Sequence, residues 1–502
     1  MMLILIILSI VCLSLLCEIY KKKFKIILVL SILSVLCFYF FLVNNMYYPQ
    51  FFTPKSKIVM AVPMFNYYNL LVHSLCQNKL YIATDENYPL LKHTNFKECI
   101  IKTENTKYWY LLDTSYYKGK IYMYFGITPI LLFYLPYNFL TNTYITDGIV
   151  VFICCSLIFL LSLFIIKRLS YRILNEEIPF FIQVLSVFLI GLCNYSLILL
   201  VRPSTYEVAI VVGMVLILFS IYFFINYCFN IKYKKDIVIC LIAFLSSLAV
   251  GCRPHYVFFI PIIFISILAV DIVDNIKKQT KFYHFLLFFV PCMFYGFILG
   301  LYNYLRFDSI FEFGFKYQLN DKNLMKWFFE FKELFMGLKY NLFQFPVLHK
   351  IFPIFSTVKI SDLKVGKEFA VGAIYIFPFI LVTLFIPKII KYFLKINKYI
   401  SIIFLLISSM FIINLLVVSS IGVVQRFVFE YMSIAVIISL LSFYFIYEQN
   451  KKQMKKILNV AFIFIFIFAI YINISLIFDE NNSSFYSFSN PNMYNNIVSF
   501  LK

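Results

Sequence analysis

Ile121-Tyr-Met-Tyr-Phe-Gly-Ile-Thr-Pro-Ile-Leu-Leu-Phe-Tyr-Leu-Pro-Tyr-Asn-Phe-Leu140 is the stretch on which the threading of this chain turns. It is apolar enough to be read as a membrane span, yet Gly126, Pro129 and Pro136 interrupt it. Tyr122, Tyr124, Tyr134 and Tyr137 suit the membrane–water interface better than its interior. Loop charge decides between the two readings. Twelve other apolar runs have the length of spanning helices, at roughly 2–20, 24–43, 148–166, 178–200, 206–226, 237–251, 255–273, 284–301, 373–390, 400–420, 431–447 and 457–478. If 121–140 does not cross, the clusters Lys21–Lys25, Lys167/Arg168/Arg172, Lys232/Lys234/Lys235, Lys277/Lys278/Lys281, Lys388–Lys398 and Lys451–Lys456 all fall inside. If it does cross, the first cluster is stranded opposite the rest. The stretch is therefore expected to lie along the outer surface as a juxtamembrane element.

The expected fold class is all-α: a polytopic transmembrane bundle of about 12 spanning helices, with outer juxtamembrane helices in the first large loop. Residues 1–478 read as a single bundle containing two outer loops, 44–147 and 302–372, and 479–502 as an outer polar tail. Hydrophobic residues make up 62% of the 502 and charged residues 14%, against roughly a quarter charged in a soluble domain. The net charge of +20 does not point to nucleic acid, because the lysines fall in short clusters between apolar runs. The first run, Met2 to Ile19, is followed rather than preceded by its positive charges, so it reads as a first span with an outside N-terminus and not a cleaved signal. The abundance of Phe, Ile, Lys, Tyr and Asn is that of an AT-rich genome, and the expected location is a bacterial cell membrane.

Most of the 12 cysteines lie in apolar runs, where they pack as small hydrophobes. Cys76 and Cys99 sit in the first loop and are either a disulfide or two free thiols. His73 and His93 lack ligand spacing and read as surface or packing residues. No C-x-x-C, H-E-x-x-H or G-x-x-x-x-G-K occurs, so no metal or nucleotide motif is present, and the part of any divalent cation stays open.

Only six of the 44 basic residues are arginine. Arg202, Arg253, Arg306 and Arg426 each lie at the end of an apolar run, and the threading brings all four out on one face, opposite the lysines. They stand in Arg202-Pro-Ser-Thr-Tyr-Glu207, Cys252-Arg253-Pro-His255, Tyr304-Leu-Arg306-Phe-Asp308-Ser-Ile-Phe-Glu312 and Gln425-Arg426-Phe-Val-Phe-Glu430. Arginine's planar fork binds phosphate bidentately, so Arg202, Glu207, Arg253, His255, Arg306, Asp308, Glu312 and Arg426 form the candidate site for a lipid-linked sugar phosphate. The competing reading is structural ion pairing: Arg202 with Glu207, Arg306 with Asp308, Arg426 with Glu430. A carboxylate of the first loop, Asp113, Asp85 or Glu86, is the candidate general base, with a turn or cap as the alternative for Asp113.

At these residues the chain resembles the GT-C superfamily of polytopic glycosyltransferases, which includes protein mannosyltransferases and aminoarabinose transferases. The resemblance rests on Asn66 through Tyr81, Asp113 through Leu140, the Arg202–Glu207 motif, Cys252-Arg253-Pro254 and Tyr302 through Gly314. It implies transfer of a sugar from a polyprenyl-phosphate carrier to an acceptor outside the membrane, with juxtamembrane helices in the first loop. In one respect the chain departs from the family. An acidic catalytic residue commonly opens the first loop helix there, and this chain has Met64-Phe65-Asn66-Tyr67. Either the base lies at Asp85, Glu86 or Asp113, or the chain is a non-catalytic binding relative. A flippase for lipid-linked glycans is the remaining alternative.

Overall fold

A computed structural model describes residues 25–46, 52–54, 67–82, 114–124, 126–229, 234–318, 331–363 and 368–479. In chain order the α-helices begin with α1 (Lys25–Met46), α2 (Tyr67–Leu75), α3 (Leu135–Thr141) and α4 (Asp147–Ile173). Then come α5 (Phe180–Leu192), α6 (Ser196–Val201), α7 (Thr205–Cys228), α8 (Lys235–Val250), α9 (Phe259–Val273) and α10 (Lys278–Phe307). The last six are α11 (Phe331–Phe343), α12 (Ala373–Ile376), α13 (Ile386–Ile396), α14 (Lys398–Ile421), α15 (Gln425–Gln449) and α16 (Lys452–Ile477). The molecule is a polytopic helical bundle. Eight of its described helical stretches are long and apolar enough to cross a membrane: α1, α4, α7, α9 with the 3₁₀ turn before it, α10, α14, α15 and α16. The first expected span, 2–20, and the tail from residue 480 lie outside the described residues.

Burial sorts these helices into layers. In α15 and α7, 94% and 83% of the most apolar window is buried, so these two form the centre. In α10 the figure is 22%, and Phe282, Val290, Met293, Phe297 and Leu301 face outward, as residues in hydrocarbon would. Helix α7 packs between α4 and α8, and α8 in turn carries α10.

Two of the expected spans are interrupted. The run 178–200 splits into α5 and α6 because Tyr195 takes a left-handed conformation, φ 71°. Asn194 Oδ1 then accepts from the Ser196 amide at 3.0 Å, satisfying one donor of the new helix start. The run 373–390 becomes α12, a 3₁₀ segment Pro378–Phe385, and α13. Pro378 and Pro387 each lack the amide that would continue an α ladder.

The stretch 121–140 does not form a continuous span. Lys120–Tyr122 is the second strand of a hairpin with Ser115–Tyr117, and a π-turn at Ile130–Tyr134 leads into α3. From Ile130 to Thr141 the helical part measures only ~18 Å, against ~30 Å of hydrocarbon. Gly126 explains where it rests. A Cβ there would fall 1.8 Å from the Gly251 carbonyl oxygen, so only glycine permits the first loop to lie on the turn after α8. Thr128 completes the seam: its amide donates to Gly251 O (3.2 Å) and its hydroxyl to Leu248 O (2.9 Å).

Candidate functional site

The ends of five segments meet on the side of the bundle that carries this seam: the starts of α4, α7 and α15, the turn between α8 and α9, and the end of α10. At their centre is Glu430, one turn into α15 and 0% exposed. Arg253 Nε lies 3.0 Å from its Oε1, and His255 Nε2 lies 3.1 Å from its Oε2. A lone carboxylate in that position would carry a desolvation penalty of several kcal/mol, so the Arg253 guanidinium and the His255 ring from the neighbouring turn are what allow it. Pro254 separates the two partners and fixes φ between them, setting both side chains on the same carboxylate.

Arginine and aromatic side chains extend this centre sideways. The Arg253 guanidinium sits 4.2 Å from the centroid of the Phe427 ring, and Arg426 lies 5.4 Å from the same ring. Arg426 also covers Tyr206, at 4.6 Å, and pairs with Glu368 Oε1 at 3.3 Å. Tyr206 opens α7 beside Glu207, which is paired with Arg202 at 3.8 Å and accepts a hydrogen bond from Ser204. Behind them Asp147, 0% exposed, accepts from the Tyr134 hydroxyl and from Thr205 Oγ1 (3.2 Å). Tyr68, in the first-loop helix α2, shares this electrostatic neighbourhood. Burial raises its phenol well above the usual value, Asp147 adds to the rise, and Arg253 opposes it.

Arg202, Arg253 and Arg426 keep 19%, 16% and 20% of their side-chain surface exposed. Arg202 and Arg253 meet their carboxylates through Nε. Chemically this is a shallow cationic surface braced from behind by acids, of the kind that accepts a phosphate or carboxylate oxygen.

Arg306 has a different setting. It is 4% exposed, stacked at 3.8 Å over Tyr302, and its fork is spent on Met123 O and Asn303 Oδ1, both at 2.8 Å. It ties the first loop to α10 rather than facing solvent. The expected pair Arg306–Asp308 does not form, because Asp308 caps α10 in the left-handed region (φ 55°) and pairs with Lys118 at 2.6 Å. Tyr117 also donates to Asp308 at 2.9 Å. These hydrogen bonds, Lys118's first, hold the Asp308 carboxyl below its ordinary value, and the same bond raises the Lys118 ammonium. Glu312 Oε1 accepts from the Gly314 amide (2.7 Å) and the Lys316 amide (3.3 Å), shaping its own turn. The expected pair Arg426–Glu430 does not form either, since Glu368 reaches in from the second loop and Arg253 takes Glu430. Of the three expected pairs, Arg202–Glu207 is present.

The candidate bases Asp85, Glu86 and Asp113 lie outside the described residues, as do His93 and Cys99. Asp113 directly precedes Thr114, which is fully buried at the foot of the 115–122 hairpin. That hairpin docks on the end of α10, with Ser115 Oγ donating to Gly314 O at 2.8 Å. Cys76 has a free thiol 3.8 Å from Asn138 Oδ1. His73 packs between Tyr144 (3.1 Å) and Gln77 (3.0 Å), in keeping with a packing role. Among the described residues no group of three or more His, Cys, Asp and Glu is placed to hold a metal ion.

Sequence reading missed Asp147, Tyr206, Glu368 and Phe427. Asp147 carried a signal, being an acid at the start of an apolar run. Tyr206 and Phe427 stand inside the arginine motifs without a role read for them, and Glu368 is brought in by a tertiary contact that no local spacing encodes. A second buried cluster was also missed: Asp271 with Tyr227 and, at 2.8 Å, His284, at the lysine-rich end of the bundle. Beside it Asp274 pairs with Lys235 at 2.6 Å and accepts from Tyr399.

No family profile matches the sequence, and no curated protein matches it. Among solved structures the chain is similar to the oligosaccharyltransferase of Archaeoglobus fulgidus in its apo form, at 12% identity and a TM-score of 0.44. It is similar also to the oligosaccharyltransferase AglB of that organism in complex with an inhibitory peptide and a dolichol-phosphate, at 10% identity and a TM-score of 0.44. Each alignment covers 91% of this chain and 56% of the other, so the chain spans a little over half the length of those structures.

Proposed function

We propose that this chain is a membrane glycosyltransferase that takes a sugar from a polyprenyl-phosphate carrier and passes it to an extracytoplasmic glycan, lipid or protein acceptor. The observation that carries the reading is the gathering of Arg202, Arg253 and Arg426 from three separate helix ends onto one surface, braced by Glu430, Glu207 and Glu368. In the proposed reaction the acceptor's nucleophilic atom bonds to the sugar's anomeric carbon as the bond from that carbon to the phosphate oxygen breaks. The electron pair leaves with the lipid phosphate, where guanidinium groups stabilise the developing charge. The acceptor's proton passes to a first-loop carboxylate, with Asp113 the first candidate and Asp85 or Glu86 next. The lysine clusters, by the positive-inside rule, set the arginine surface on the extracytoplasmic side of a cell membrane.

One observation favours a competing reading, in which the charges only tie helix ends together: each of the three arginines has a carboxylate partner. Purified protein with a panel of labelled polyprenyl-phosphate sugars separates the two. Arg202→Lys and Arg253→Lys keep the charge but lose the fork, and are expected to weaken donor binding while the melting temperature holds. Asp113→Asn is expected to spare donor binding and lower transfer ~10²–10⁴-fold. Lysine variants that bind donor normally would leave only the structural reading. Donor binding without turnover across the panel would make the chain a binding relative, and flipping in vesicles a carrier.

A further inference from the structure

Helix α13 reads Ile386-Pro-Lys-Ile-Ile-Lys-Tyr-Phe-Leu-Lys-Ile396 and divides cleanly into two faces. Ile386, Ile389 and Phe393 are buried against the bundle. Lys388, Lys391 and Lys395, spaced i, i+3 and i+7, form a single row on the other side. That row borders a cavity of about 490 Å³ between α13 and the last two turns of α15, with Tyr392, Phe445 and Ile446 among its apolar walls. The volume falls in the ~300–1,000 Å³ range of small-ligand sites.

The charge in this cavity is not neutralised. None of the three lysines makes an ion pair among the described residues, whereas Lys235, Lys118 and Lys455 all do. Glu448, the carboxylate next to the lining residue Gln449, is engaged elsewhere and accepts from the Asn175 amide at 2.6 Å. Like charges three and four residues apart disfavour a helix, so the row is a standing electrostatic cost that an anion between the ammonium groups would relieve. The apolar wall beside the row selects further, since a fully hydrated anion would gain nothing from two aromatic rings and an isoleucine. Helix α15 carries the arginine surface on its first turn and this cavity on its last two, ~35 Å apart along the helix axis. The two sites therefore face opposite ends of the bundle.

We infer that this cavity binds the phosphate-bearing head group of an anionic phospholipid, with Lys388, Lys391 and Lys395 around the phosphate and the first part of an acyl chain on Tyr392, Phe445 and Ile446. Basic pockets between helices at the lysine-rich side of a membrane protein are suited to such head groups. The site is independent of any transfer reaction at the arginine end.

The test uses the full chain in lipid nanodiscs of phosphatidylcholine containing a small fraction of phosphatidylglycerol, with retained lipid counted by native mass spectrometry. One tightly retained phosphatidylglycerol per chain is expected, with retention falling about fivefold for each lysine replaced among Lys388→Gln, Lys391→Gln and Lys395→Gln. A control triple on exposed lysines at the start of α16, Lys451→Gln, Lys452→Gln and Lys456→Gln, is expected to leave retention unchanged. Equal losses in the two triples would overturn the site in favour of general surface charge. Ile446→Trp fills the apolar wall and keeps every charge, so it too should abolish retention. Melting temperature in pure phosphatidylcholine checks that each variant is folded, and any unfolded triple is replaced by its single-lysine variants. Displacement of the lipid by millimolar inorganic phosphate or glycerol phosphate would show a plain oxyanion site and refute the lipid assignment.

Discussion

Glu430 is the side chain whose surroundings are most exacting, because it is fully buried and answered by Arg253 and His255 together. Removing Arg253 alone costs more than removing it together with the carboxylate, since Glu430 is otherwise left buried without its guanidinium and with His255 alone beside it. Arg253→Gln is therefore expected to destabilise by ~3–5 kcal/mol, with part of the loss recovered in Arg253→Gln/Glu430→Gln, read as detergent-extracted melting temperatures around a double-mutant cycle. Asp308 offers the opposite case, an exposed pair whose value lies in position. Its carboxyl is held below the ordinary 3.8, so its grip on Lys118 and Tyr117 is present above that pH and lost as pH falls through the lowered value. Lys118, raised above 10.5, keeps its side of the contact until strongly alkaline pH. Hydrogen exchange in the 115–122 hairpin, taken relative to the intrinsic amide rate, should accordingly quicken as pH falls through that lowered value in the native chain. In Asp308→Asn it should be quick already at neutral pH, because asparagine tolerates the left-handed backbone there but drops the charge. Insensitivity of the hairpin to both changes would mean that the aromatic packing of Tyr117 on Tyr317 and Phe307 holds it alone.

Among the helices, α11 and α14 cross closely at a glycine. A Cβ on Gly337 would stand 2.0 Å from the Ser419 carbonyl oxygen, a backbone atom that cannot swing aside. Asn341, one turn on, donates to Ser419 Oγ (3.2 Å) and Gly422 O (3.3 Å), and Tyr431 donates to Asn341 O (3.1 Å). Gly337→Ala should thus push α11 off its seat at a cost of ~1–3 kcal/mol, where a glycine-to-alanine change in an open helix would gain stability. A melting temperature at or above that of the native chain would disprove the close approach. How far the sequence disclosed these elements follows from the physics of each. Long apolar runs with lysine loops announce spans, because hydrocarbon thickness and loop charge act locally. The break in 373–396 was legible in Pro378 and Pro387, but Tyr195 turns left-handed with no compositional sign at all. At the candidate site the scarcity of arginine pointed to four helix ends, of which the structure gathers those of Arg202, Arg253 and Arg426. The partners were hidden, because Glu368 reaches Arg426 across 58 residues and Asp147 reaches Thr205 across another 58.

For the molecule as a whole, the threading makes a single demand: the arginine end and the lysine end lie on opposite sides of one membrane. Single cysteines introduced at Lys118 and Lys339 should label from outside intact cells, and those at Ser170, Lys234 and Gln453 should not, in a background with Cys37, Cys76 and Cys99 replaced by serine. Labelling of Lys234 from outside would invert the threading. The two loop regions at the arginine end are fastened by forces that respond differently to their medium. Helix α11 is seated by backbone contact at Gly337, while the tip of the 115–122 hairpin is held by the Lys118–Asp308 pair, both members more than half exposed. Dissolved ions screen such an exposed pair over ~8 Å at physiological concentration and leave a buried backbone contact untouched. Brine and fresh water would therefore meet two different outer faces on the same protein, one part constant and the other loosened in proportion to the salt.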